Sequence, residues 1–381
     1  MNPLKRLKDV GQSVWLDFID REFLRNGELE RRIRDDGING MTSNPTIFEK
    51  ALAEGHEYDD QIRAAAGLLT AQELFEAIAT TDVREACDSF HPIYDRTAGG
   101  DGYVSIEVSP AAAHDAEATI EEAHRLWRAV SRPNVMIKVP GTAEGAKAVR
   151  RLIADGVNVN ITLLFAIEAH ARVIDAYMGG LEDREAKRRG QHVFTHLASV
   201  ASFFVSRVDT EVDKRLDALI PRLSGTDRAR AEELYGKAAI ANAKMAYRLF
   251  RREFSTPRWA PLREKGARVQ RPLWASTSTK NPKYRDVMYV EQLIGPDTVN
   301  TMPLSTIDAF KDHGVVARTV DISLDEAERV VADLERIGIS MRDVTDKLLV
   351  DGLASFQKSY DAVIAGLEAK SRTLGLELAT R

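Results

Sequence analysis

The sequence predicts an α/β protein: a (β/α)8 barrel of the TIM type with extra helices and helical insertions. Three observations carry this. Short β-branched or apolar runs alternate with charged amphipathic stretches, the pattern of βα units around parallel strands. Eight such runs can be counted along the 381 residues, the number that closes a barrel. Polar side chains also gather on one face of several runs near their C-terminal ends, where barrel enzymes build their sites.

The expected strands are Ser13–Phe18, Gly37–Asn44, Gly102–Ser109, Asn134–Pro140, Val157–Leu164, His196–Ser202, Pro272–Thr277 and Val299–Pro303. Each is a Val-, Ile-, Leu- or aromatic-rich stretch bounded by Gly, Pro, Asn or Ser. Asp115–Val130, Ala143–Ala154 and Ala166–Met178 have the apolar spacing of amphipathic helices. The longest gaps, after Asn44 and after Ser202, each have room for several helices. A helical insertion is expected around 212–270, with Arg248, Arg251 and Arg252 on its solvated face. Within it, the Pro- and basic-rich stretch from Thr256 to Arg271 is expected as a surface loop, not a linker. From Met341 to Leu374, Val344, Leu348, Phe356, Tyr360, Val363 and Leu367 recur at helical spacing, so a C-terminal helix packs on the body. No internal repeat interrupts this order. The chain is therefore expected as one domain over residues 1–381.

Composition narrows the function. A 44% hydrophobic content is enough for a large core, and a net charge of −5 argues against a nucleic-acid partner. The single cysteine, Cys87, excludes an intrachain disulfide framework and fits a reducing, cytoplasmic compartment. The segment Met1–Lys8 lacks the apolar core of a signal peptide, and no run is long enough to span a membrane. The eight histidines are scattered without metal-ligand spacing. Neither a phosphate loop nor a dinucleotide fingerprint is present. A soluble protein without metal or cofactor is expected, and a homo-oligomer is left open.

Lys138 stands in the apolar run Asn134–Pro140. Burying an ammonium is costly unless it is paired or loses its proton, and a neutral amine in a pocket is a nucleophile for carbonyl carbon. The plainer reading is a lysine whose stem lies along the surface while its head reaches water. Strand parity supplies neighbours. Asn158, Asn160 and Thr162 share one face of their strand, with Val157, Val159, Ile161 and Leu163 on the other. The same alternation pairs Met136 with Lys138, Ser105 with Glu107, and Trp15 with Asp17. Taken singly, Asp17 could cap a helix, Glu107 could be a surface charge and Asn160 a satisfied interior amide. Together they would add several burial penalties on neighbouring strands with no return, so a convergent site is the better account.

The chain resembles the transaldolase family, in the longer form found in many bacteria, over nearly its whole length. The resemblance rests on Gly40–Phe48 (Gly-Met-Thr-Ser-Asn-Pro-Thr-Ile-Phe), Val104–Val108, Val135–Thr142 (Val-Met-Ile-Lys-Val-Pro-Gly-Thr), Val159–Phe165, Ser202–Arg207, Leu273–Thr277 and Asp346–Leu349, in that order. It implies Schiff-base chemistry at Lys138. Asp17 would take the proton from the C4 hydroxyl of a ketose, while Glu107 and Thr162 would position the water of the imine steps. Asn44 and Asn160 would bind the dihydroxyacetone unit, with Ser202 and Phe204 also on the substrate side. Arg207 and Ser276 would hold the phosphate. Many family members continue that serine with Phe-Arg; here the run is Ser276-Thr277-Ser278-Thr279-Lys280, so Lys280 is expected to replace the arginine as a point charge.

The implied reaction moves dihydroxyacetone from sedoheptulose 7-phosphate or fructose 6-phosphate to glyceraldehyde 3-phosphate or erythrose 4-phosphate, in the non-oxidative pentose phosphate pathway. The alternative is an aldolase that releases free dihydroxyacetone. Such relatives resemble the chain in the same strands but carry a tyrosine at the position of Phe204. A catalytically silent scaffold is a third reading, against which the joint presence of Lys138, Asp17 and Glu107 argues.

Overall fold

The structure is a computed structural model, and it describes residues 2–188 and 193–380. Eight parallel strands close into a barrel in sequence order: β1 (Gln12–Asp17), β2 (Gly40–Thr42), β3 (Val104–Glu107), β4 (Val135–Pro140), β5 (Val159–Leu164), β6 (Ser199–Phe204), β7 (Arg271–Ala275) and β8 (Thr298–Met302). The last strand pairs back onto β1, from Gln12 opposite Thr298 to Leu16 opposite Met302. Each expected strand is present, and the differences lie at the ends. Gly37 takes a left-handed φ of 73° and ends the helix Glu28–Asp36, while Asn44 caps Pro45–Glu54; only Gly40–Thr42 between them is strand. His196 is likewise left-handed, so β6 begins at Ser199 and runs on to Phe204.

Alternation along the strands divides the apolar residues into two sets. Val14, Leu16, Ile137, Val139, Val159 and Ile161 join the large core between barrel and helices. Trp15, Tyr103, Met136, Val200, Leu273 and Val299 form a smaller cluster that fills the lower barrel. Trp15 donates its Nε1–H to Asp101 at 2.8 Å, and Gly40 leaves it room: a Cβ there would lie 2.7 Å from the indole and from the Tyr103 carbonyl oxygen. At the same end Asn158 donates to the carbonyls of Pro133 and Val135 and accepts from the Ala198 amide. Its side chain therefore ties neighbouring strands together at the lower rim.

The helical additions fall in the two gaps expected. Pro45–Glu54, Asp59–Ala65 and Ala71–Arg96 follow β2; Ser206–Leu219, Gly225–Glu232, Ala238–Glu253 and Trp259–Glu264 follow β6. The last of these corrects the expected surface loop from Thr256 to Arg271. Trp259 and Leu262 turn inward and are buried, and Arg271 already belongs to β7. Arg248, Arg251 and Arg252 lie outside, paired with Glu328, Asp297 and Glu253. The C-terminal helix Met341–Thr373 buries Val344, Leu348, Phe356, Val363 and Leu367, the stripe read from spacing, with Tyr360 partly buried beside Phe75. Among the described residues no helix is long and apolar enough to cross a membrane.

Candidate active site

At the C-terminal ends of the strands the barrel opens into a cavity of about 810 Å³. Every strand, or the residue just past its end, contributes to it: Asp17, Thr42, Glu107, Lys138, Thr162, Ser202, Ser276 and Thr301. Parity explains most of the convergence, since all of these side chains but Ser276 stand on the inward face of their strand; Ser276, just past the end of β7, is turned in by a left-handed backbone.

Lys138 is 7% exposed, so it does not snorkel to the surface. Its Nζ donates to the Ser43 carbonyl at 3.0 Å and lies 3.4 Å from Glu107 Oε2 on the adjacent strand. Burial pushes the Glu107 carboxyl above its ordinary pKa, opposed by the charge and hydrogen bond of Lys138 and reinforced by Asp17. Glu107 is thus a buried partner for the amine, not a surface charge at a strand end.

Asp17 is also raised by burial, against the pull of Lys138, the Thr42 hydrogen bond, Arg207 and Lys280. Thr42 Oγ1 bonds Asp17 Oδ1 at 2.8 Å and lies 2.7 Å from Thr301 Oγ1. Helix capping falls instead to Asp20, which accepts from the Phe23 amide, so Asp17 is left facing the cavity.

Asn160 is fully buried and lies below the open cavity. It donates to Ser105 Oγ at 2.9 Å and accepts from Ser202 Oγ at 2.6 Å, so it sets the Ser202 hydroxyl at the floor. Asn44 lines the cavity while its side-chain Oδ1 caps the following helix by accepting from the Ile47 amide. Thr162, opposite Pro140 in the β4–β5 register, is buried at the wall.

Parity fails within a strand at Leu163. Expected on the outer face, this residue has a φ of 58° at an irregularity between Ile161 and Leu164, and its side chain turns to the cavity.

The cations stand on the other side. Arg207 lies in the first turn of Ser206–Leu219 with its guanidinium carbon 5.2 Å from the Phe204 ring centroid. Ser276, left-handed at φ 55°, puts its Oγ 2.9 Å from Ser206 Oγ, and Lys280 Nζ donates to Ser278 Oγ at 2.8 Å. All of these except Ser206 line the cavity.

A family model described as Transaldolase/Fructose-6-phosphate aldolase matches residues 14–367. The chain belongs to this family. It is 46% identical to the transaldolase of Trichodesmium erythraeum over 98% of both chains, and 45% identical to transaldolase 2 of a Nostoc species over 98% of this chain and 99% of that one. The transaldolase of Acidothermus cellulolyticus is 46% identical over 100% of this chain and 98% of its own. The chain is accordingly an enzyme with a transaldolase-family barrel.

Several lining residues of this transaldolase-family site were not singled out from the sequence. Thr42 holds Asp17 and Thr301 backs Thr42, but each stands in its strand without the same-face run of polar residues that marks Thr162 beside Asn158 and Asn160. The Ser43 carbonyl that meets Lys138 is backbone, invisible to side-chain patterning. Gly352, Ser355, Phe356 and Ser359 come from the C-terminal helix, whose spacing marks a buried face but not what that face covers.

Proposed function

We propose that the protein is a transaldolase whose Schiff base forms on Lys138. The observation that carries the reading is the inward Lys138–Glu107 pair with Asp17 in the same buried cavity. Lys138 passes a proton to Glu107, and its free amine attacks the C2 carbonyl of a ketose phosphate, fructose 6-phosphate or sedoheptulose 7-phosphate. The raised proton affinity of Glu107 supports it in returning that proton to the carbinolamine oxygen, which leaves as water. Thr162 helps position that water. The iminium then acts as an electron sink. Asp17 takes the C4 hydroxyl proton, the C3–C4 bond breaks, and its electron pair forms a neutral enamine on the three carbons left behind. The departing aldose phosphate is replaced by an acceptor, glyceraldehyde 3-phosphate or erythrose 4-phosphate, and the steps run in reverse. Asn44 and Ser202, the latter held by Asn160, fit hydroxyls of the dihydroxyacetone unit. Arg207, Ser276 and Lys280 fit the phosphate at the far end of the sugar, so remote binding energy aligns the reacting carbons.

Transfer is favoured over release of free dihydroxyacetone by the apolar Phe204 ring, engaged with Arg207 and carrying no acidic hydroxyl to protonate the enamine. The chain works as one domain, 1–381, in the cytoplasm; the lone buried Cys87 suits a reducing compartment. Its net charge of −5 argues against nucleic acid as a partner, while the local cations Arg207 and Lys280 suit a sugar phosphate. A coupled assay with fructose 6-phosphate tests the reading. Glyceraldehyde 3-phosphate release that depends on added erythrose 4-phosphate supports transfer; release without an acceptor supports the aldolase alternative, and no release leaves neither.

A further inference from the structure

The two cations on the phosphate side of the cavity sit on separate pieces of chain. Arg207 is fixed in the first turn of Ser206–Leu219, but Lys280 is exposed in the loop after β7, and a bare loop would leave its charge free to wander. The loop is closed twice. Thr279 Oγ1 donates to the carbonyls of Arg285 and Asp286, both at 3.0 Å, and the Tyr284 hydroxyl donates to Asp213 Oδ2 at 2.6 Å. Asp213 lies on the Arg207 helix.

Its other oxygen accepts the Gly236 amide at 3.2 Å, from the turn that leads into Ala238–Glu253. Gly236 has a φ of +68°, and a Cβ there would stand 2.8 Å from the Tyr284 ring, so this turn is a seat shaped for the tyrosine. A second bolt repeats the arrangement one helical turn earlier. Asp209 accepts from Tyr289 at 2.8 Å and from the Ala239 amide at 2.7 Å. These two carboxylates and the tyrosines they hold thus join the turn into Ala238–Glu253 to the segment that follows β7.

We infer that Tyr284 is a positioning residue for phosphate binding: with Asp213 and Gly236 it latches the Lys280 loop to the Arg207 helix, so that both cations close on one phosphate. The inference rests on the phosphate reading of Arg207 and Lys280 given above.

Tyr284→Phe removes the hydroxyl and keeps the ring on Gly236. The full-length variant is assayed with fructose 6-phosphate and erythrose 4-phosphate, with inorganic phosphate as competitive inhibitor. The KM for fructose 6-phosphate and the inhibition constant for phosphate both rise roughly five- to tenfold, the scale of one hydrogen bond, while kcat stays within about twofold. Borohydride trapping of unphosphorylated dihydroxyacetone is unchanged. Asp213→Asn shows the same split. Because Tyr284 acts through Lys280, adding Tyr284→Phe to Lys280→Ala has no further effect on KM. An unchanged KM in Tyr284→Phe, an additive loss in the double variant, or an equal loss with the unphosphorylated substrate overturns the latch. Lys280→Ala with unchanged KM overturns the phosphate reading and the latch with it. A raised KM in Lys280→Ala beside an unchanged one in Tyr284→Phe overturns the latch alone.

Discussion

Lys138 meets the cost of burial by pairing: Glu107 lies 3.4 Å away, and both side chains are less than one-tenth exposed. Removing one member of such a pair leaves the other desolvated, which sets the behaviour of Lys138→Ala. Turnover should vanish. The stability effect should depend on pH, because Lys138 holds down a Glu107 pKa that burial already raises above its unfolded value. Without the lysine that pKa climbs further, the folded state favours the proton more strongly, and stability falls as pH rises through the widened interval. Melting curves should show the variant close to wild type at pH 5 and lower at pH 8, by up to about 3–5 kcal/mol if Glu107 stays ionised. A deficit that is the same at both pH values contradicts the pairing.

Asp17→Asn separates imine formation from cleavage. The adduct should still form, and single-turnover C–C cleavage should slow by about 10²–10⁴. Undiminished cleavage removes Asp17 from its role. These residues were legible because a strand has period two and each is a polar group among apolar ones. Leu163 was not, since a bulge breaks the period without leaving a Gly or Pro to mark it.

Among the elements, the C-terminal helix shows how much spacing can tell. Its buried stripe announces packing, and it does pack, but the same helix also walls the cavity through Gly352, Ser355, Phe356 and Ser359. A Cβ on Gly352 would lie 3.1 Å from Leu163 Cδ2 and 3.7 Å from Arg207 Nη1. Gly352→Leu should therefore crowd the phosphate side, raising the KM for fructose 6-phosphate by roughly tenfold, since glycine in a helix interior has no other advantage there. Steady-state kinetics check this; an unchanged KM means the helix is not a wall.

The helix Ser206–Leu219 makes a different prediction. Burial pushes Asp209 up to about 7, despite its hydrogen bonds from Ala239 and Tyr289. Its folded pKa lies above the ordinary carboxylate value, so its contribution is fully present near pH 4 and is lost as pH rises towards 7. Relative to Asp209→Asn, the wild type should gain about 2 kcal/mol on going from pH 7 to pH 5. Urea titrations at the two pH values measure the difference, and parallel behaviour of the two proteins contradicts it. Nothing in the sequence of this helix marked Asp209, because tyrosines from distant segments make its environment.

For the whole molecule, the barrel was legible because closure requires a fixed number of strands and each strand leaves its own apolar run. Strand ends were less so. Gly37, His196 and Asn44 decide them through left-handed backbone and capping, which patterning of apolar residues does not record. The site followed from the fold: eight inward faces meet at one rim, and polar residues on those faces meet with them. The short helix Trp259–Glu264 escaped notice because its Pro- and Arg-rich sequence hides a buried tryptophan.

The central claim is that this cavity works by covalent chemistry at one amine. Incubation with fructose 6-phosphate and borohydride, followed by peptide mass spectrometry, tests it most directly. The account predicts a reduced three-carbon adduct on Lys138 and none in Lys138→Ala. A protein left unmodified while it turns over substrate, or an adduct on another lysine, would contradict it.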